Sequence, residues 1–309
     1  MSLPRYAYLG PAGTFTEVAL RAMVSPEEAE YVPVIDVPTA LTAVREGTAD
    51  FAVVAMENTV EGGVTATLDT LAHGSPLVIL GEVVLPVRFE LLTLPGVECD
   101  QITRVSAHSH GLNQCRRWIA EHLPGVVQVS ATSNAAAAAA LADSGSRTDA
   151  VLAPPGLGEA LGLAVVATDV ADSETAATRF VRVGRPGVLP APTGADKTTL
   201  VVYLPSDRAG ALLEMLEQFS ARGVNLSRIE SRPIGDKPGE YSFSIDVLGH
   251  LAESRVAEAL IGLKRTCPRV IFLGSYPAAY REVTPVLAGT SEADFAAARA
   301  WVDALIDPR

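Results

Sequence analysis

The sequence predicts an α/β protein in two parts: a larger strand–helix region followed by a compact βαββαβ unit. Three observations support this prediction. Short apolar runs alternate with helical patterns through the first part, periodicity is lost at 185–197, and a new series of strands and helices begins near residue 198. The stretch 185–197 is rich in Pro, Gly and Ala, which indicates a linker. A chain of 309 residues is long enough for both parts.

The first part alternates strands with helices. It opens with a strand at 6–10 and a helix at 16–23, where Thr14 and Glu17 have the spacing of a capping box. The run 51–55 is continuously apolar, as in strands buried inside a parallel sheet. Ligands bind at the carboxyl ends of strands in such sheets, so the polar segments there are candidate sites. The other predicted elements are helices at 40–46, 112–122 and 134–142 and strands at 77–82, 89–94, 126–129, 150–153 and 164–167.

The second part has the pattern of a ferredoxin-like unit. Its first helix is amphipathic and is closed by Gly223. The predicted order is a strand at 198–204, a helix at 210–222, strands at 226–231 and 241–248 joined by a Gly/Pro turn, a helix at 253–263 and a strand at 270–276. An Ala-rich helix at 291–306 follows, packed on the surface or on a partner subunit.

Composition limits the function classes. The net charge of −12 argues against nonspecific binding to nucleic acid or anionic membranes, and an anionic substrate would need a local basic pocket. No apolar stretch is long enough for a transmembrane helix, and the N-terminus leads straight into a strand, so we expect no signal peptide. The 3 cysteines form no CxxC pair, which favours a reducing compartment. We therefore expect a cytoplasmic protein.

The triplet Thr178-Arg179-Phe180, just before an apolar strand at 181–183, is the most informative segment. A hydroxyl, a guanidinium and an aromatic ring suit a small anionic ring, because they supply a proton donor, a bidentate carboxylate clamp and an apolar wall. The alternative is an ordinary strand start. The triplet gains weight only together with other segments.

Two helix starts provide further candidates. The segment 10–16 joins a strand to a helix, and the hydroxyls of Thr14 and Thr16 together with free N–H groups can hold an anion there. Its spacing matches neither a Walker A loop nor the dinucleotide fingerprint. Ser133 and Asn134 begin the Ala-rich helix and could also face a carboxylate. Plain helix capping is the alternative for both segments.

The segment Glu57-Asn58-Thr59 follows the apolar strand 51–55 in a Gly-rich stretch. A carboxylate and an amide at the end of a strand are well placed to bind a ligand. The alternative is a solvated turn, which Asn and Gly favour.

The segment His108-Ser109-His110 leads into a predicted helix that contains Gln114 and Cys115. Histidines at i and i+2 do not share a helix face and have no acidic or cysteine partner at metal-ligand spacing, so we expect no metal. Gln114 can orient a polar ligand. Cys115 has the character of a small packed side chain rather than a nucleophile.

The βαββαβ unit carries two polar segments that could take an amino-acid carboxylate. One is the helix start Gly210-Ala211-Leu212, and the other runs from Asn225 to the strand end Glu230-Ser231-Arg232-Pro233. The alternative is a purely structural module, because many unrelated proteins carry this fold.

Taken together and in this order, the segments resemble the prephenate dehydratase family over about residues 5 to 277. The shared motifs of the catalytic domain are G-P-x-G-T-F-T, E-N-T-x-x-G, H-x-x-x-x-x-Q-C, S-N-x-x-A-A and T-R-F. G-A-L and E-S-R-P resemble the phenylalanine-binding motifs of its ACT regulatory domain. Ala55, Ala107 and Ala176 replace a proline, a serine and an asparagine common in the family, and Thr59 replaces its commoner serine.

The resemblance implies a two-lobed, periplasmic-binding-protein-like catalytic domain at 1–185, a linker at 186–197, an ACT domain at 198–280 and a tail at 281–309. It implies conversion of prephenate to phenylpyruvate, water and carbon dioxide, without metal or organic cofactor. Feedback inhibition by L-phenylalanine would act through ACT domains paired in a homodimer, with a homotetramer as the alternative. We expect a monofunctional enzyme, because no mutase-like helical region precedes residue 5.

The resemblance also implies residue roles. Thr178 matches the essential threonine, and either Thr178 or Glu57 supplies the proton. The expected catalytic residues are Thr178, Glu57, Asn58 and Gln114, and the expected substrate-binding residues are Thr14, Thr16, Thr59, Ser133, Asn134, Arg179 and Phe180. The expected phenylalanine-binding residues are Gly210, Ala211, Leu212, Asn225, Glu230, Ser231, Arg232 and Pro233. Two alternatives stay open, an arogenate dehydratase and a non-catalytic amino-acid sensor.

Overall fold

The computed structural model describes residues 2–143, 146–204, 208–234, 241–283 and 285–307. The chain divides into two compact units, and the division does not follow the chain order. Unit 1 comprises Met1–Thr67 and Val83–Phe180, and unit 2 comprises Leu68–Glu82 and Val181–Arg309. Within the described residues, no helix is long and apolar enough to cross a membrane.

Elements up to residue 184 form two sheets with helices between their strands. The boundaries between the units fall inside one helix, Thr65–Ala72, and two strands, Val78–Pro86 and Ala177–Gly184. The strands are β1 (Arg5–Leu9), β2 (Glu30–Val34), β3 (Phe51–Asn58), β4 (Gly62–Gly63), β5 (Val78–Pro86), β6 (Glu90–Thr93), β7 (Arg104–Ala107), β8 (Val127–Ser130), β9 (Ala150–Ala153), β10 (Ala164–Ala167) and β11 (Ala177–Gly184). The helices are α1 (Phe15–Met23), α2 (Val37–Glu46), α3 (Thr65–Ala72), α4 (Ser109–Gln114), α5 (Arg116–His122), α6 (Asn134–Ala142) and α7 (Leu157–Leu161).

The two sheets define the two lobes that the family resemblance implies. In the first sheet the strand order is β2-β1-β3-β11-β5, with β4 paired to β3. In the second the order is β10-β6-β9-β7-β8. The strands β1, β2 and β3 are parallel to one another, as are β7, β8 and β9, so their carboxyl ends share one edge of each sheet.

The core of the first lobe fixes the position of β11. Phe180 is buried with Tyr6, Tyr8, Leu20 and Val53. Side chains alternate along a strand, so Thr178 and Phe180 share one face of β11. The threonine is therefore held in register by a neighbour that is fixed in the core.

The later elements of unit 2 form a four-stranded antiparallel sheet with helices. The sheet order is β13-β14-β12-β15, and the core contains Val202, Phe219, Ile245 and Leu263. The βαββαβ order confirms the ferredoxin-like prediction. The elements are β12 (Asp196–Tyr203), α8 (Ala211–Ser220), β13 (Leu226–Pro233), β14 (Tyr241–Leu248), α9 (Ser254–Thr266), β15 (Arg269–Pro277) and α10 (Glu292–Ile306).

Several predicted elements differ from the structure. The triplet at 178–180 lies inside β11, so the predicted short strand at 181–183 is only its second half. The predicted helix 112–122 is two helices that meet at the fully buried Cys115. The predicted Gly/Pro turn falls largely on 235–240, which lie outside the described residues.

Candidate active site

A cavity of about 210 Å³ in unit 1 collects most of the candidate catalytic residues. Its wall is formed by strand ends of the first lobe and by helix starts of both lobes. The lining residues are Leu9, Thr14, Phe15, Thr16, Ala55, Asn58, Val87, Phe89, His108, His110, Gly111, Gln114, Thr132, Ser133, Asn134, Ala135, Pro154, Thr178 and Phe180. The size and the mixed lining suit a small ring compound with polar substituents.

Thr178 and Asn58 form a polar pair in the wall of this cavity. The Asn58 Nδ2 group donates to Thr178 Oγ1 over 2.8 Å. The Asn58 Oδ1 atom accepts from the N–H groups of Val60 and Glu61 at 2.8 and 3.2 Å, which fixes the orientation of the amide. The Thr178 hydroxyl therefore acts as an acceptor towards Asn58 and keeps its own proton available for another partner.

Thr59 fixes the loop that carries Asn58 to the strand that carries Thr178. Its N–H donates to the carbonyl of Ala177, and the N–H of Ala177 donates to Thr59 Oγ1, both at 2.9 Å. Thr59 does not line the cavity. Serine, the commoner family residue, would offer the same hydroxyl, so the replacement preserves this contact.

The start of α1 brings Thr14 and Thr16 to the cavity. Thr14 Oγ1 donates to the carbonyl of Leu9 at 2.8 Å and accepts from the N–H of Glu17 at 3.4 Å. The Glu17 carboxylate accepts from the N–H of Gly13 at 2.6 Å. The predicted capping box would instead use the N–H of Thr14, one residue later. The loop is thereby closed against α1, and the positive end of the helix faces the cavity wall.

The starts of α4 and α6 are joined by a hydrogen bond. The N–H of His108 donates to Asn134 Oδ1 at 2.8 Å, and Ser133 Oγ caps α6 by accepting from Ala136 at 2.9 Å. Gly111 permits this approach, since a Cβ there would lie 2.8 Å from Asn134 Oδ1. Ser133 is therefore the cap of α6, whereas the Asn134 side chain binds the backbone before α4, and both residues also line the cavity.

Histidine and glutamine side chains from α4 complete the polar wall. His110 Nδ1 lies 2.8 Å from Glu61 Oε2, and Gln114 Nε2 donates to Glu61 Oε1 at 3.5 Å. Gln114 Oε1 is buried without a hydrogen-bond partner. A buried acceptor without a partner is costly, so this atom is available to a ligand that donates a hydrogen bond.

The pKa shifts near the cavity follow from burial. Burial and the neighbouring His110 lower the pKa of His108, while Glu61 acts in the opposite direction. Burial, with a smaller contribution from Asp172, raises the pKa of Cys115 to about 12. Cys115 is therefore a protonated, packed thiol at neutral pH, as the sequence indicated.

Glu57 and Arg179 are not among the residues that line the cavity. Arg179 Nη1 lies 3.5 Å from Glu57 Oε2, and the Arg179 side chain is 6% exposed. Alternation along β11 turns Arg179 away from the face shared by Thr178 and Phe180. The clamp and proton-donor roles expected of these two residues stay predictions, without a place in the described cavity lining.

The described lining carries no Asp, Glu, Lys or Arg side chain. The expected basic pocket for an anionic substrate is thus replaced by hydroxyls, amides, two histidines and helix starts. Hydroxyls, amides and helix N-termini are groups that can stabilise a carboxylate, through hydrogen bonds and partial positive charge. Across the described ranges, no cluster of three or more His, Cys, Asp or Glu residues could hold a metal ion.

The candidate phenylalanine-binding residues lie in unit 2. Gly210 has φ of 87°, a left-handed conformation that suits glycine, and precedes α8, where Ala211 is buried and Leu212 is exposed. The residues Glu230, Ser231, Arg232 and Pro233 are on β13, and Asn225 precedes it. Arg232 forms a two-nitrogen ion pair with Asp69, with nitrogen–oxygen distances of 2.9–3.2 Å.

Comparisons with known proteins agree with this architecture. The family model for prephenate dehydratase matches residues 6–187, and the model for the ACT domain matches residues 198–265. A prephenate dehydratase from Amycolatopsis methanolica is 45% identical over 98% of both chains. The fold and site therefore define a class of protein in which a periplasmic-binding-protein-like α/β unit is joined to an ACT domain. The chain belongs to the prephenate dehydratase family.

Solved structures show the same relationship. The chain is similar to prephenate dehydratase from Arthrobacter aurescens in complex with L-Phe, with 50% identity, coverage of 98% of this chain and 99% of that one, and a TM-score of 0.93. It is also similar to a structure described as a novel type of quorum-quenching acylase, with 29% identity, coverage of 89% and 98%, and a TM-score of 0.78.

Sequence reasoning missed several residues of the cavity. Phe15 and Phe89 form an edge-to-face aromatic pair at 5.4 Å, and Thr132 and Pro154 contribute from other segments. The sequence gives His108 and His110 no individual role beyond a rejected metal site, although His108 opens the H-x-x-x-x-x-Q-C motif. A signal was available, because both histidines precede Gln114 at the start of the same helical stretch.

Proposed function

We propose that the chain catalyses the decarboxylative dehydration of prephenate to phenylpyruvate and is inhibited by L-phenylalanine. It is then a carbon–oxygen lyase that works without metal or organic cofactor. The observation that supports this most directly is the Asn58–Thr178 pair in the wall of a small cavity with aromatic sides. The family relationship supplies the reaction.

The chemistry requires little covalent help from the protein. As the ring carboxylate leaves as carbon dioxide, its bonding electrons enter the ring, the ring carbon–oxygen bond breaks, and the departing hydroxide takes up a proton to become water. Aromatisation drives the step. The protein must hold the ring, remove water from the carboxylate and supply the proton.

The geometry supports the following residue roles. Thr178 donates its free hydroxyl proton to the departing oxygen, Asn58 orients that hydroxyl, and Gln114 Oε1 accepts from a substrate hydroxyl.

The starts of α1 and α6 bind carboxylate through Thr14, Thr16, Ser133 and Asn134, and Phe180 forms part of the apolar wall. Thr59 and the pair Glu57–Arg179 hold the surrounding strands.

Regulation and assembly complete the proposal. L-phenylalanine binds at the Gly210–Leu212 start of α8 and along 225–233 in a homodimer formed through the ACT domains. This proposal is supported by the ACT match and by the related structure that contains L-Phe. By linkage, prephenate and phenylalanine weaken each other's binding. A cytoplasmic location and a domain division into 1–185, 186–197, 198–280 and 281–309 belong to the same proposal.

The decisive test is a direct assay. Purified full-length protein is incubated with prephenate or with arogenate, and phenylpyruvate and phenylalanine are measured, each with and without added L-phenylalanine. We expect prephenate turnover that phenylalanine reduces. Preferential turnover of arogenate would identify the protein as an arogenate dehydratase. No turnover of prephenate or arogenate would favour a non-catalytic amino-acid sensor.

Thr178 variants test the assigned centre. Thr178→Ala should lower kcat by about 10²-fold or more, with a smaller change in KM, because the hydroxyl acts on the departing group. Thr178→Ser should retain part of the activity. Near-normal turnover of Thr178→Ala would contradict the assignment.

A further inference from the structure

We propose that His108 supplies the proton that the dehydration consumes: its Nε2–H, directed into the cavity, restores the proton that the Thr178 hydroxyl passes to the departing oxygen. This inference rests on the proposed function. It adds a catalytic residue to the Thr178 centre and gives the His108-Ser109-His110 segment a role other than metal binding.

The proton balance requires such a group. The prephenate dianion and one proton give the phenylpyruvate anion, carbon dioxide and water. The electron pair of the breaking ring carbon–oxygen bond leaves on oxygen, and that oxygen must be protonated. Thr178 can pass its own proton on, but an alkoxide would remain unless a second group restored it. A titratable group near neutral pH is the natural source.

The cavity lining narrows the choice. Among its described residues, only His108 and His110 carry an imidazole, the side chain that most often acts as a general acid or base. His110 Nδ1 is held by Glu61 Oε2 at 2.8 Å, and its side chain is 62% exposed. Glu57 is held near Arg179 and does not line the cavity. His108 is the remaining candidate.

The tautomer of His108 is set by its surroundings. The N–H of His110 donates to His108 Nδ1 at 3.3 Å, which makes Nδ1 the acceptor. A neutral imidazole has one donor and one acceptor nitrogen, so its proton is on Nε2. The N–H of His108 is anchored to Asn134 Oδ1 at 2.8 Å, and the His108 ring stands edge-on to that of His110 at 4.8 Å. The ring is therefore oriented from both its backbone and its Nδ1 side.

The charges around His108 are few. His110 lies on the same helix, Glu61 belongs to the segment after β3, and the cavity residues from α1, α6 and β11 are uncharged. Burial and His110 lower the pKa of His108 below its ordinary value of 6.5, so the ring is mainly neutral at pH 7. A dianionic substrate favours the protonated ring, in which Nδ1 takes up the second proton and gives up the 3.3 Å hydrogen bond from the N–H of His110. Substrate binding is thus accompanied by protonation of His108. The reaction then uses this proton to convert the departing hydroxide into water.

The test replaces His108 by glutamine in the full-length protein. His108→Gln keeps a polar N–H but cannot titrate. We expect kcat for prephenate to fall by about 10²- to 10⁴-fold. In the wild type, kcat should decline as pH rises through the pKa of His108 in the complex, because the donor must be protonated. That limb should be absent in His108→Gln.

The matched control is His122→Gln, because His122 lies at the exposed end of α5 and does not line the cavity. It should keep kcat and the pH profile of the wild type. A kcat of His108→Gln within about threefold of the wild type, with the same pH limb, would overturn the inference while leaving the proposed function intact. Failure of the wild type to turn over prephenate would instead remove the proposed function.

A measurement on the wild type covers the case in which the variant does not fold. Nitrogen-15 shifts of the histidine side chains report which ring nitrogen carries the proton. We expect the Nε2–H tautomer for His108 at pH 7.5. A resonance assigned to His108 with the proton on Nδ1 would overturn the inference, whatever the variant does.

Discussion

The amide nitrogen of Asn58 lies 2.8 Å from the hydroxyl oxygen of Thr178, across 120 positions of sequence. The two residues end up together because β3 and β11 are neighbours in one sheet. The direction of this bond matters, since an amide N–H can only donate. It leaves the Thr178 proton free, which is the arrangement a proton-donating hydroxyl needs.

Asn58→Asp reverses that direction. The carboxylate still accepts from the N–H groups of Val60 and Glu61, so the turn is preserved. It also accepts from Thr178, whose proton is then withdrawn from the cavity. We expect kcat to fall by about 10²-fold with a smaller change in KM, measured by steady-state prephenate kinetics. Unchanged kcat in a variant with the wild-type Tm would contradict this reading of the bond.

Glu57→Gln separates a structural role from a proton-donating one. If Glu57 only holds Arg179, the amide replaces one side of a 3.5 Å ion pair and the free energy of unfolding falls by about 1 kcal/mol. We expect kcat within tenfold of the wild type. A loss of 10²-fold or more, with unchanged stability in urea, would show instead that Glu57 takes part in proton transfer.

Asp69→Asn weakens the ion pair between Asp69 and Arg232, the arginine of the E-S-R-P motif. Asp69 is on α3, which begins shortly after the Glu57–Thr59 loop, so the pair connects β13 to a helix continuous with that loop. We expect the phenylalanine concentration for half-inhibition to change by at least about threefold, with kcat unaltered. Glu258→Gln, which removes an exposed pair with Arg299, is the matched control and should leave inhibition unchanged.

Asp149 gives the fold a sensitivity to acid. Its Oδ2 accepts from the N–H and hydroxyl of Thr103 and from the N–H of Arg104 at 2.7–2.9 Å. The Thr103 hydrogen bonds are the main cause of a pKa below the usual 3.8. A lowered folded-state pKa stabilises the protein above 3.8, and this contribution is lost as pH falls through the lower value.

Because Asp149 is only partly buried, solvent screens its interactions and its contribution is less than about 1 kcal/mol. Urea unfolding at pH 6 and pH 3 measures it. The wild type should be more stable than Asp149→Asn at pH 6, and the difference should shrink at pH 3. A difference that stays constant or grows in acid would contradict this assignment.

The sequence predicted the elements in which one requirement dominates. The helix 134–142 and the strands 150–153, 164–167 and 241–248 have the observed bounds, because apolar pattern and capping agree there. β2 was missed because it is a short edge strand that contains Pro33, which only an edge position tolerates. The break at Cys115 follows from tertiary burial, which local periodicity does not reveal.

In the candidate site too, local sequence predicted some features and tertiary structure determined the others. Thr178, Asn58, Gln114 and the helix starts were identified as candidates because their residue types suit an anionic, hydroxylated ring. The sequence could not place Arg179 and Glu57 outside the cavity lining, since strand alternation fixes a face only relative to its neighbours. It also assigned no proton-transfer role to His108, which we propose from its place in a described cavity lining without Asp, Glu, Lys or Arg side chains.

The placement of 68–82 has a practical consequence for anyone who wishes to separate catalysis from its regulation. This stretch lies within the part that the prephenate dehydratase model matches, yet it belongs to unit 2. There, Lys197 pairs with the fully buried Glu82 carboxylate at 2.8 Å. The carbonyl of Ile79 would lie 2.2 Å from a Cβ at Gly274. Proteolysis or gene truncation in the linker 186–197 would cut within unit 2 and would remove the residues that 68–82 packs against. A deregulated enzyme is therefore better sought by point substitution than by excision.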